Sequence, residues 1–237
     1  MNDLSNIAYS DEYMNMKKEV IMIAYNPANK AAQREIAGKN LRRIISDYSV
    51  HLGDRLYFCS INSVYDKGEF IFEYFNIYRH DFFCEKVRYS DGREYVFYKT
   101  DLYGYNVFEI GTKNSFEYFP KRSFGEGSME TFIATDIFFN PNNNTFAVDG
   151  CYWACPTDTF LIKIDEPLKP FEKYLNIHLI VDEDYELYDD VCFEGWVDNA
   201  VKLRCFSTQE PFCQEIISLD EEVYTAKMLS AKSSPLY

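Results

Sequence analysis

Cys151 and Cys155, spaced as C-x3-C in GCYWACP, and the downstream His178 are the residues whose types and spacing come nearest to chemistry. Two thiolates completed by His178, Cys192 or Cys205 would make a tetrahedral zinc site, and a thiol beside a histidine would make a nucleophile. Zinc sites of this kind need a second matching thiol pair on a tight turn, and the remaining cysteines are too far apart to supply one. A strand over residues 148–152 puts Cys151 and Trp153 on one face and leaves Cys155-Pro156 to open a loop. Both thiols are therefore expected to be packing groups. An enzyme or metal site around Cys151, Cys155 and His178 is the alternative reading.

Other catalytic signatures are missing. His51, His80 and His178 lie in separate segments, and no G-x-S-x-G, H-E-x-x-H, P-loop or G-x-G-x-x-G occurs. Gly125-Glu126-Gly127-Ser128 is an acidic loop without the lysine that a phosphate cradle requires. No catalytic residue is assigned on this basis, and no cofactor is expected.

Binding finds stronger support. The segment DEDYELYDDVCFEGWVD, Asp182 to Asp198, holds eight carboxylates and no basic residue, interleaved with Tyr185, Tyr188, Phe193 and Trp196. Such a stretch is either a charge-protected edge strand or a surface that recognises a basic partner. The partner-binding set read from the sequence is Tyr152, Trp153, Asp182, Asp184, Tyr185, Glu186, Tyr188, Asp189, Asp190, Glu194 and Trp196. In it the carboxylates steer encounter and the rings act as anchors. Calcium is disfavoured, because Asp182, Asp184 and Glu186 alternate without the glycine and closing glutamate of a calcium loop.

Charge along the whole chain points the same way. Residues 1–122 carry 17 basic and 17 acidic side chains, whereas residues 123–237 carry 7 and 21, so the entire net charge of −14 belongs to the second half. A field of that sign repels phosphate backbones and anionic lipid and attracts cationic protein. The expected partner is thus a basic protein, with no direct nucleic-acid or membrane contact. The apolar run VIMIAY is too short for a secretory or membrane segment, and seven irregularly spaced cysteines do not form a disulfide framework. A cytoplasmic location is expected.

Elements must position these residues, and the patterning is mainly β. Twenty Tyr and twenty Phe favour pleated, half-buried surfaces. Val20–Tyr25 reads as a strand. Asn26-Pro27 reads as a helix start, with Ala37, Leu41, Ile44, Ile45 and Tyr48 forming an apolar stripe to about residue 48. Lys30, Arg34, Lys39, Arg42 and Arg43 fall on the solvated face of that helix. Hairpins are expected around Asp66-Lys67-Gly68 and Ser90-Asp91-Gly92. Ser218 to Glu221 reads as a capping box opening a short C-terminal helix that docks through Val223, Tyr224, Ala226 and Leu229. The expected organisation is a strand–helix segment over 1–50, a hairpin domain over 51–230 and a loose tail over 231–237.

Four strand–turn–strand units begin at Arg55, Arg93, Asn144 and Tyr185, with starts 38, 51 and 41 residues apart. Within them DIFFNPNNNTFAVDG resembles the opening of a WD40-like propeller blade, with Pro141 to Asn144 standing where a Pro-Asp-Gly turn would be. The resemblance implies sequential antiparallel hairpins, as a propeller-like meander or a sandwich. In overall composition the chain is similar to small acidic proteins of bacterial toxin-immunity and phage-defence loci. That likeness implies binding and neutralising a partner.

Overall fold

The computed structural model describes residues 2–3, 11–37, 40–79, 82–119, 131–152, 155, 157–171, 173–184, 186–207 and 213–230. The protein is mainly β, and among the described residues it has four sheets and three helices, one N-terminal and one short and C-terminal. The chain forms two compact units, one from residues 1–86 and 94–129 and the other from 87–93 and 130–236. The boundary that the sequence suggested at residue 50 falls inside a strand.

Unit 1 contains β1 (Asn2–Asp3), α1 (Asp11–Ala24), a 3-10 turn (Pro27–Asn29), β2 (Lys30–Ala37), β3 (Arg42–Leu52), β4 (Arg55–Asp66) and β5 (Glu69–Asn76). It continues through β6 (Cys84–Arg88), whose end enters the second unit, and β7 (Glu94–Tyr98), β8 (Tyr105–Glu109) and β9 (Asn114–Tyr118). One sheet runs β2-β3-β4-β5, all antiparallel; the other runs β1-β9-β8-β7-β6, parallel at the two-residue β1–β9 pair and antiparallel at β9–β8 and β8–β7.

The first strand and helix expected from the sequence are both corrected. Val20–Tyr25 is not a strand: Val20 and Ala24 belong to α1, where with Lys17 they form a buried stripe at helical spacing. Asn26 does act as a cap, accepting the Ala28 N–H at 3.1 Å, but the turn it opens lasts three residues. Residues 30–37 and 42–52 then form β2 and β3 in place of the expected helix. Burial along β3 runs on odd positions through Asp47 and changes phase at Tyr48, opposite a bulge between Lys30 and Ala32 of β2. The phase change breaks strict alternation and leaves apolar spacings of three and four, which imitate a helix. Arg43, placed on a solvated face by that reading, is buried.

α1 covers this sheet, packing Val20 and Ala24 on Tyr48, Val50, Cys59, Ile61 and Phe75. A second cluster is aromatic, with Phe72 stacked 4.3 Å from Phe108 and Tyr74 centred 4.5 Å from Tyr98. The β4–β5 turn is the expected one, with Lys67 and Gly68 both at positive φ, as a two-residue hairpin with the sheet's twist requires.

Unit 2 contains β10 (Ile133–Asn140), β11 (Thr145–Cys151), β12 (Thr157–Lys163), β13 (Lys173–Asn176), α2 (His178–Val181), β14 (Tyr188–Val197), β15 (Ala200–Ser207), β16 (Gln214–Leu219) and α3 (Glu221–Ser230). Its sheets, β10-β11-β12-β13 and β14-β15-β16, are antiparallel meanders. Their shared core joins Ala147, Leu161, Leu175 and Ile177 to Val191, Val201, Leu203 and Cys205, closed by Tyr224 and Met228 of α3. The helix therefore docks through Tyr224 and Met228, while Val223 and Leu229 are exposed. Its first backbone acceptor is Asp220, and Ser218 lies in β16. The Pro141–Asn144 turn closes β10 onto β11 with Asn144 at φ +58°, and the Asn140 and Asn143 side chains accept the Asn142 and Thr145 N–H groups. Residues 231–237 lie outside the described residues.

Candidate functional site

The acidic segment begins at the end of α2. Asp182 closes that helix with its N–H bonded to His178 O, and its carboxylate accepts N–H bonds from Glu186 (3.1 Å), Leu187 (2.8 Å) and Tyr188 (3.0 Å). Burial would raise this carboxyl, but the three backbone donors and the neighbouring His178, 3.7 Å away, hold it below the ordinary range. Asp182 is 5% exposed, which corrects its assignment to a partner surface. It shapes the turn that carries Asp184, Glu186 and Leu187 outward, and all three are exposed.

β14 is an edge strand with two bulges, one between Tyr188 and Asp190 and one between Phe193 and Gly195. The extra residues are Asp189 and Glu194, both exposed. A bulge of this kind takes a residue out of the ladder and twists the edge away from further pairing. Asp190 is exposed as well, whereas Glu194 is paired with Arg204. Tyr188 is half-buried, its hydroxyl committed to Glu215.

The described rings of the set, Tyr152, Tyr188 and Trp196, are half-buried and in contact with the rest of the unit. Trp196 is half-buried, donating its indole N–H to Phe138 O at 3.1 Å and packing 5.4 Å from the Phe193 ring. Tyr152 packs edge-on to Phe132 at 5.5 Å. Trp153 and Tyr185 lie outside the described residues. Leu187, Val197 and Phe138 are exposed apolar side chains of the same unit, at 51%, 49% and 38%.

The proposed ligand set does not assemble. Cys151 ends β11 opposite Thr157 and Ile133, Cys155 is exposed in the following connection, and His178 adjoins Asp182. Among the described residues, no three His, Cys, Asp or Glu side chains gather in metal-ligating geometry.

A second group of carboxylates escaped the sequence reading. Asp136 of β10 lies directly across the ladder from Asp149 of β11, which faces Thr159 of β12, with Asp158 one residue earlier. Asp136 is exposed, and partial desolvation within the strand pushes its carboxyl above the ordinary range. Asp149 is raised by burial and by the charges of Asp136 and Asp158, against the opposing pull of a 2.5 Å bond from the Thr159 hydroxyl. Asp158 is raised by burial despite bonds from the Thr159 N–H and the Asn176 amide and the pull of His178, and Asp190 adds to the rise. The Cys192 thiol is pushed up to about 11 by burial, then by Asp190, to which it donates at 3.4 Å, with Asp149 contributing.

Asp136 and Asp149 share a face of the sheet and Asp158 lies on the other, yet Asp149 feels both neighbours and Asp158 feels Asp190 of β14. Among the described residues no lysine or arginine pairs with Asp136, Asp149, Asp158 or Asp190. Like charges facing each other across a ladder destabilise a sheet. One lone Asp in each of three apolar strands, TDIFF, AVDGC and TDTFL, was the available signal.

Neither a protein-family model nor a curated protein sequence matches this chain.

Proposed function

We propose that unit 2 is a non-catalytic docking module of inhibitor or immunity type, whose acidic surface receives a basic segment of another protein. The observation that carries this reading is the facing pair Asp136 and Asp149, with Asp158 on the neighbouring strand: all three carboxyls are raised, and among the described residues none is paired with a lysine or arginine. Desolvation of these carboxylates, with the repulsion between Asp136 and Asp149 added, costs folding free energy that an incoming cation would return as binding free energy. Exposed Asp184, Glu186 and Asp189 extend the field and steer encounter, and Leu187, Val197 and Phe138 offer apolar contact on the same unit. Unit 2 carries 21 acidic and 9 basic side chains, an excess of 12, against 17 and 15 in unit 1.

Carboxyl-carbon NMR of the full chain, with and without an oligolysine peptide, tests the reading. The midpoints of Asp136, Asp149 and Asp158 are expected above the ordinary value of about 3.9 in the free protein and lower once peptide is added. Midpoints that start at the ordinary value, or that ignore saturating peptide, contradict it.

A further inference from the structure

An open groove in unit 1 is independent of the acidic surface. It has a volume of about 490 Å³ and is lined by Tyr13 and Met16 of α1, Leu56 and Phe58 of β4, and Tyr78 and Arg79 just after β5. Leu56, Phe58 and Tyr78 are 44%, 48% and 36% exposed, so its walls are apolar groups left in water. The Tyr13 hydroxyl in its lining is already committed elsewhere. It donates to Asp101 at 2.5 Å, and Asp101 and Glu117 each face Lys17 at 3.6 Å.

The charge left over is Arg79. Its guanidinium sits 5.1 Å over the Phe58 ring and donates to Ser49 Oγ at 3.4 Å. Among the described residues it pairs with no carboxylate, in a chain that contains 38. A guanidinium stacked on a ring keeps its N–H edge free for a planar two-oxygen acceptor.

The geometry points to this groove as a binding site for a small apolar or aromatic monocarboxylate, its body against Leu56, Phe58 and Tyr78 and its carboxylate accepting hydrogen bonds from Arg79. The volume falls in the range of small-molecule sites, roughly 300–1,000 Å³, and so does the makeup of apolar walls with one placed charge. A single cation matches a single negative charge. Burial, and after it the nearby Asp101, pushes the Tyr78 phenol up to about 12, so this hydroxyl stays neutral and adds no charge of its own.

Calorimetry on the full chain with phenylbutanoate, phenylbutanol and phenylbutylamine tests the assignment. The acid is expected to bind one site about tenfold or more tighter than the alcohol, and the amine not at all. Arg79→Gln, a change at an exposed residue, is expected to bring the acid down to the alcohol's affinity without moving the thermal midpoint, and Phe58→Ala to weaken both. The assignment is overturned if acid and alcohol bind equally, if Arg79→Gln leaves the acid unaffected, or if the acid gives no heat up to about 10 mM. A dimer by light scattering that Phe58→Asp dissociates would overturn it in favour of a second copy of the chain in the groove.

Discussion

Asp182 and Asp149 are both aspartates in the acid-rich half of the chain, and their surroundings give them opposite parts. Asp182→Ala leaves three backbone N–H groups without their acceptor, and the thermal midpoint is expected to fall by roughly 5 °C. Its folded-state pKa is lowered, so its contribution is present above the unfolded value of about 3.9 and is lost as pH falls through the folded one. The gap between wild type and Asp182→Ala should therefore close in acid. Asp149→Asn has the reverse sign. Its folded-state pKa is raised, so the ionised form is penalised at neutral pH, and the penalty disappears as pH falls through the folded pKa towards the ordinary one. The variant is expected to be more stable at pH 7 by about 0.5 kcal/mol, or roughly 1–2 °C, with the gain vanishing in acid. Thermal melts across pH check both signs. Composition tells nothing of this difference, because it is set by which donors and carboxylates the fold brings near each group.

Turns were legible in the sequence and the β3 element was not, for reasons that lie in the backbone. Asp66-Lys67-Gly68 and Pro141 to Asn144 announce themselves because few residues accept positive φ, and those positions adopt it. The stretch LRRIISDYSVHL reads as a helix because a bulge on its partner strand shifts its phase, and a partner strand is invisible from one segment alone. The Asp136–Asp149 pair, with Asp158 on the next strand, was hidden for the same reason: register across β10, β11 and β12 is a long-range property. That register hangs on Gly150, where an added Cβ would lie 2.3 Å from Ile133 O and 2.6 Å from the Phe132 ring. Gly150→Ala is expected to cost at least about 3 kcal/mol in urea unfolding, because backbone cannot retreat as a flexible side chain would. A cost under about 1 kcal/mol would mean that the two strands are not packed as described.

At the scale of the molecule, charge is divided far more sharply than mass. An excess of 12 carboxylates sits on unit 2 and an excess of 2 on unit 1, and no helix among the described residues is long and apolar enough to cross a membrane. For a partner steered by that field, association is expected to slow steeply as salt rises from about 0.05 M to about 1 M, where screening shortens to ~3 Å, while dissociation changes less. The most direct measurement uses the full chain as bait in an extract of its native cell at low salt, beside the variant Asp136→Asn, Asp149→Asn, Asp158→Asn, Asp190→Asn. The wild type is expected to retain a strongly basic protein that elutes with salt and that the variant fails to hold. Retention of the same protein by both baits, or capture of acidic proteins alone, would contradict the account.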